Sequence, residues 1–534
     1  MAARREKMPP TTLNLPARHS LTPLEQIVYE VGSVMPLTPP TTPDVTPLPL
    51  FPITETKTPD NDPGSSENNS IKSVEKKRFT VIEPAVFLVY VATALAGAVL
   101  QNQQLYQTCV AVYNYDKELC EPMLGVIAKN ETSKEIETKV QPYVANIIMT
   151  SSVISSVLPA FLSLFIGPWS DKFGRRPVLV ATFSAALMGH SITTILAAIS
   201  MATPVNPWIY IISNIPLALT GGTCALITMV FCLVSDVSDE GGKARRMFFV
   251  DGALGIGTLI GNVISSYILA GTGTIGVFAI AAGMDLLALL YLLFFVSESL
   301  KLKHERKESK LREFFHFDLI KDLVRSCLKR RPHYDRAIIW CIMFTLVTTT
   351  FVMQGESNVF YLFLRNKFNL TLQEFTTYNA ITICIKMVGC GLILVILRVV
   401  FKAPLITVAM LGLLGCFTDS LIRSLAEQFW QMYLAATCGF MGGINSPMLQ
   451  AVLAGLVEAT EIGKVYAVIS SLQTLSPLAS APVYTGIYRA TLESYPGAFY
   501  FLSASIYLVC FVLITCLFVM QRIGAKAARQ PSAS

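Results

Sequence analysis

The sequence predicts an all-α membrane protein of twelve transmembrane helices in two six-helix halves. Three observations carry that prediction. Only 15% of the 534 residues are charged and 52% are hydrophobic, whereas a soluble chain carries about a quarter charged residues. Apolar runs of about 20 residues, each enough to cross a hydrocarbon core about 30 Å thick, recur along the chain. These runs fall in two groups around a charged segment from Glu298 to Arg336.

The elements follow in order. Residues 1–80 are rich in Pro, Thr, Ser and Asn, as in Pro36-Leu37-Thr38-Pro39-Pro40. Such a segment cannot bury enough apolar surface to offset its ordering entropy, so a disordered cytosolic tail is expected. The first apolar run begins near Val81, too late for a cleavable signal peptide. The first half, 81–297, holds expected spans at 82–105, 143–167, 176–200, 206–235, 246–270 and 274–297. A cytosolic linker, 298–336, carries Lys301, Lys303, Arg306, Lys307 and Lys310. The second half, 337–521, holds expected spans at 337–362, 373–398, 403–423, 428–457, 465–489 and 497–521, and 522–534 is a cytosolic tail.

Positive charge orients the chain. With both termini cytosolic, 24 Lys and Arg fall in cytosolic loops and the C-terminal tail and 9 in the N-terminal tail, against 8 in external loops. Asn130-Glu131-Thr132 and Asn369-Leu370-Thr371 then lie in external loops, which makes Asn130 and Asn369 candidate glycosylation sites. Asn369 sits close to a membrane end and Asn130 in a long loop. Asn68-Asn69-Ser70 falls on the cytosolic tail and is expected to stay bare. Most of the twelve cysteines lie in apolar runs, where cysteine is a small hydrophobe. Cys109 and Cys120 instead flank a polar external stretch, where an oxidising compartment would permit a bridge.

Ionisable groups inside spans are costly and are functional candidates by default. Asp251 lies about one and a half turns into span five, where a carboxylic acid could carry a proton. Lys386 lies near the middle of span eight, able to bind an anionic substrate or to pair with an acid such as Glu356 of span seven. Asp285 and Asp419 are expected to find packing partners such as His190 or Arg423. Span four carries Pro216 and Gly221-Gly222, and span ten carries Gly442-Gly443 and Pro447. Paired interruptions in corresponding spans mark the central site of repeat-built transporters. Gln101 to Gln104, Gln354, Asn358, Asn445 and Gln450 are polar candidates to face that cavity, with Lys386, Glu356, Gln354, Gln450 and Asn445 the substrate-binding set.

The most specific motif is Gly167-Pro168-Trp169-Ser170-Asp171-Lys172-Phe173-Gly174-Arg175-Arg176-Pro177 after span two. Gly167 allows close helix approach, Gly174 permits the turn, Asp171 accepts hydrogen bonds, and Arg175 and Arg176 can pair with Asp171 or Asp236. This stretch resembles the cytosolic loop motif of the major facilitator superfamily. Its Trp-Ser-Asp and Gly-Arg-Arg-Pro core is similar to solute carrier family 46, whose members include proton-coupled folate transporters. Ser235-Asp236-Val237-Ser238, Arg246-Met247 and Glu83-Pro84 are further matches. The resemblance implies proton-driven symport of a small organic anion by alternating access, with Gly167, Asp171, Gly174, Arg175 and Arg176 as the gating motif. It also implies a proton-coupling role for Asp251. Where the folate-transporting members carry a tenth-span arginine, a seventh-span histidine and a fourth-span acid, this sequence has Gln450, Thr350 and Gly222.

Two other readings use the same features: a proton antiporter exporting drugs or metabolites, and a non-transporting receptor or scaffold using the long tail. No nucleotide-binding loop, metal cluster or nucleophile motif appears. The expectation is therefore no enzyme, cofactor, metal or nucleic-acid partner, and a small solute, protons and the bilayer as partners. Either the plasma membrane or an endolysosomal membrane fits, and oligomeric state is not legible.

Overall fold

The structure is a computed structural model that describes residues 81–127, 130–238, 240–299, 335–457 and 462–529. The expected disordered tail, the Asn68 sequon and most of the linker lie outside the described residues. Within them the chain is helical throughout, without a strand.

The long helices run α1 (Glu83–Gln107), α2 (Glu131–Phe173), α3 (Arg176–Ala202), α4 (Gly222–Val237) and α5 (Glu240–Phe295). After the linker come α6 (Asp335–Lys367), α7 (Leu372–Val395), α8 (Leu405–Leu425), α9 (Phe429–Cys438), α10 (Asn445–Leu456), α11 (Ile462–Thr491) and α12 (Ala498–Arg529). Nine helices among the described residues are long and apolar enough to cross a membrane. One of them, Arg245–Phe295, has 51 residues, about twice a bilayer's requirement. It breaks at Gly273, where φ is 68° and ψ −177°, so it carries the fifth and sixth expected spans. The tenth and eleventh expected spans are helical, as α9–α10 and α11, without being among the nine.

Local chemistry sets the starts. Pro84 stands in the first turn of α1 beside Glu83, favourable because the first N–H groups have no helical partner. The Asn130 side chain accepts from Ser133 N to cap α2. Thr371 and Glu374 form a capping box at α7. The cap at Asn130 corrects the expected start of span two: α2 begins at 131, not 143. Its 43 residues extend about 65 Å at 1.5 Å per residue, so its polar first turns stand beyond the apolar window.

Both predicted interruptions are real breaks. The fourth span enters as a 3-10 turn (Pro207–Asn214) and a short helix (Ile215–Leu219), then breaks at Gly221 and Gly222, with φ of 91° and 66°. A Cβ at Gly222 would lie 2.9 Å from Pro159 Cγ of α2, so glycine there serves both the turn and the close approach. The tenth span breaks at a 3-10 turn (Phe440–Ile444) between α9 and α10.

Two cores form. One, with Val86, Phe183, Val230 and Leu292, is built entirely from residues of the first expected half. The other joins both halves, with Leu95, Val140, Phe363 and Tyr488 in one cluster.

Candidate functional site

The loop between α2 and α3 closes one end of the first half. Gly174 has φ 103°, a left-handed conformation that L side chains avoid. The turn delivers the first N–H groups of α3 to the Glu298 carboxylate, which accepts from Arg175 N at 2.9 Å and Arg176 N at 3.0 Å. Arg175 is buried and donates to Ser170 Oγ at 2.5 Å and Asp236 Oδ2 at 3.3 Å. Arg176 donates to Leu293 O at 2.6 Å. The loop thereby ties α2, α3, α4 and the end of α5 together. The Asp171 side chain lies outside the described ones. A Cβ at Gly167 would meet nothing within 4 Å among the described residues. Arg246 reaches Glu83 at 3.4 Å.

The opposite end is held by a buried polar cluster between the halves. Arg365 of α6 is 1% exposed and Glu137 of α2 is 3% exposed. Arg365 Nε donates to Glu137 Oε1 at 2.7 Å and Nη2 to Oε2 at 3.3 Å. Its remaining donors reach Asn102 Oδ1 at 2.6 Å and Pro122 O at 2.9 Å. Asn102 also accepts from the Tyr361 hydroxyl and donates to Leu124 O at 2.9 Å. Gln141 Nε2 donates to Glu137 at 3.0 Å, and Tyr488 of α11 donates to Gln141 at 2.9 Å. Cys109 and Cys120 form a disulfide, with Cα atoms 5.9 Å apart, in the loop that supplies both carbonyls.

A cavity of about 350 Å³ lies between α1 and α5 on one side and α6 and α7 on the other. Gln101, Thr258, Asn262 and Asn379 line it with Phe360 and Tyr361, and among the described residues no charged side chain does. The Gln101 Oε1 has no hydrogen-bond partner among the described residues. Asn102 belongs to the end cluster instead, and Gln103 turns to Ser200 at 2.9 Å and Tyr210 at 3.2 Å.

Of the five substrate-binding candidates, only Lys386 and Glu356 come together. They join Asp419 and Arg423 in a charged cluster within the second half. Lys386 Nζ lies 3.9 Å from Asp419, so its ion-pair partner is Asp419 and not Glu356. Arg423 Nε lies 2.8 Å from the same carboxylate. Gln354 is half-buried, and its backbone carbonyl accepts from Asn358 at 2.9 Å. Gln450 Nε2 donates to Ser446 Oγ of its own helix at 3.3 Å. Asn445 packs against Gly412 of α8. None of these three lines the cavity. Thr350 accepts from Gln473 of α11 at 2.9 Å.

Asp251 of α5 is half-buried near Tyr90 of α1. It has no hydrogen bond or ion pair among the described residues. Tyr90 lines the cavity. Asp285 is paired with His190 at 2.6 Å. Asn130 and Asn369 are exposed at the disulfide end of the bundle.

Sequence reasoning missed Glu137, Gln141, Arg365, Tyr488 and Glu298. The first two lie in a polar stretch that hydropathy excludes from a span. The others become notable only once distant helices meet.

The family model of the Major Facilitator Superfamily matches residues 82–481. The probable peptidoglycan muropeptide transporter SLC46 of Drosophila melanogaster is 32% identical over 81% of this chain and 84% of its own length. The chain belongs to the major facilitator superfamily, in solute carrier family 46. This solute carrier is a secondary active transporter of the membrane and not an enzyme. The proton-coupled folate transporter of Rattus norvegicus is 23% identical, covering 82% of this chain and 91% of that one. Among solved structures, the human organic anion transporter MFSD10 matches with a TM-score of 0.57 at 16% identity, covering 83% of this solute carrier and 99% of that chain. That likeness is one of fold.

Proposed function

We propose that this solute carrier is a proton-coupled symporter of a small carboxylate-bearing solute, working by alternating access of two halves, 81–297 and 337–521. The observation that carries the reading is the Arg365–Glu137 cluster, which joins the two halves at one end of the cavity. A joint of this kind must break for the cavity to open on that side. The Gly174 loop, which braces four helices of the first half at the other end, supports rigid-body movement of that half.

In this reading both termini are cytosolic and the disulfide end is external, facing the cell exterior or an endolysosomal lumen. Asp251 would take a proton near the cavity and so move without net charge. The relatives' range makes muropeptides and folates the first solutes to test.

The test is reconstitution in proteoliposomes with an imposed pH gradient and a panel of muropeptides, folates and other organic anions. Uptake should follow the inward proton gradient, and Asp251→Asn should weaken that dependence. Uptake that is indifferent to the gradient would remove the symport reading. Accumulation driven only by the reversed gradient would make the protein an antiporter.

A further inference from the structure

Glu356 sits half-buried in α6 among the charged residues of the second half, in surroundings unlike those of its neighbour Asp419. Asp419 takes both cations, Arg423 at 2.8 Å and Lys386 at 3.9 Å. Glu356 has no ion pair among the described residues. Its hydrogen-bond partners are hydroxyls: Ser420 Oγ donates at 3.3 Å, and Ser503 stands beside it. Ser503 is linked in turn to the Tyr484 hydroxyl at 2.8 Å.

The other groups facing it are neutral. Cys416 comes from α8, Tyr484 from α11, and Tyr500 and Tyr507 from α12. Arg423 is buried, its guanidinium lying over the Phe360 and Tyr500 rings. Lys386 is the accessible cation, with its side chain 45% exposed. With both carboxylates ionised the cluster is neutral, two negative charges against two positive. With a proton on Glu356 it carries one positive charge, and Lys386 is its most exposed carrier.

We propose that Glu356 and Lys386 form the coupling site: a proton bound by Glu356 leaves the cluster one uncompensated positive charge, with which Lys386 holds the carboxylate of the solute. The proton adds to a Glu356 carboxylate oxygen from one side of the membrane and leaves from the same oxygen to the other. Isolated charge in low-dielectric surroundings is costly, so the protonated cluster attracts an anion that the ionised cluster does not. By linkage the bound anion holds the proton equally. The inference rests on the symport reading and assigns its proton to a second carboxylate besides Asp251.

The experiment pairs two assays with tritiated muramyl dipeptide, a carboxylate-bearing muropeptide. Equilibrium binding to the purified full chain is measured near pH 5.5 and near pH 7.5, and gradient-driven uptake is measured in proteoliposomes. The wild type should bind at least about tenfold more tightly at the lower pH, within the range of ordinary coupling. Glu356→Gln should bind at the higher pH nearly as tightly as the wild type does at the lower, with a flat profile, and should lose gradient-driven accumulation about tenfold. Lys386→Gln, at an accessible position, should bind weakly at both pH values. A flat wild-type profile, or a Glu356→Gln profile as steep as the wild type's, would overturn the assignment. Steep wild-type binding without gradient-driven uptake would instead defeat the symport reading and leave the coupled site standing.

Discussion

Arg365 Nε stands 2.7 Å from Glu137 Oε1, joining residues 228 apart in the chain across the two halves. A buried pair of this kind stabilises only if its remaining donors and acceptors are met. Here Asn102, Gln141 and the Pro122 carbonyl meet them.

Removing one partner leaves an uncompensated buried charge. Glu137→Ala or Arg365→Ala should cost about 3–5 kcal/mol in the form closed at this end. Thermal unfolding in detergent would register the loss, and labelling of a cysteine placed beside Gln101 should rise. Replacing both residues by apolar ones of similar volume should recover much of the stability but not transport. Equal labelling in the variants and the wild type would mean that the pair does not close the cavity.

The disulfide holds the loop whose carbonyls receive Arg365 and Asn102. Cys109→Ser, or an impermeant reductant, should therefore loosen the same end as Glu137→Ala. The stabilisation lost is about 2–4 kcal/mol. Cys109→Ser and Cys109→Ser/Cys120→Ser should behave alike, and additive losses in the double variant would deny the shared cause.

At the opposite end, Gly174→Ala places a side chain at φ 103° and against the Glu298 carboxylate. The strain is about 1–3 kcal/mol. Glu298→Ala removes the acceptor for two N–H groups of α3 without that strain. Both should lower transport rate more than affinity for the solute. A pure affinity loss in Glu298→Ala would separate this carboxylate from the gating loop.

Sidedness has its own test. Asn130 is exposed at a helix start and, among the described residues, only its Oδ1 is engaged, as the cap. Asn130→Gln should abolish a glycosidase-sensitive mobility shift, whereas Asn369→Gln should change it little. A shift that persists in Asn130→Gln and disappears only in Asn369→Gln would reverse the preference. No shift in the wild type would count against an external disulfide end.

Much of the fold was legible. Apolar run length counts helices because the bilayer has a fixed thickness and leaves no backbone group unpaired. The breaks of spans four and ten could be read because paired Gly and Pro interrupt helices in corresponding spans, and at Gly221 and Gly222 glycine also tolerates the positive φ. The start of α2 could not. Residues 131–142 are polar, and hydropathy is silent about a helix that continues into water. That misread start concealed Glu137 and Gln141 in a loop.

The site was legible in parts. Intramembrane Lys386 and Glu356 stood out by cost alone, and the structure brings both into one cluster. Which acid Lys386 joins depends on how α7 and α8 pack, and the answer was Asp419. Gln354, Asn445 and Gln450 are cavity candidates by polarity, yet a helix has two faces and polarity does not say which one meets the cavity.

The sequence by itself determined that this is a multi-span helical membrane protein of the major facilitator type, because span length, charge shortage and the Gly167–Pro177 motif are local properties of the chain. Only the tertiary structure decided that Arg365 meets Glu137, that Glu298 caps the helix after Gly174, and that Glu356 lacks the cations Asp419 holds. Those facts depend on distances between residues tens to hundreds of positions apart, which packing sets and local sequence does not encode.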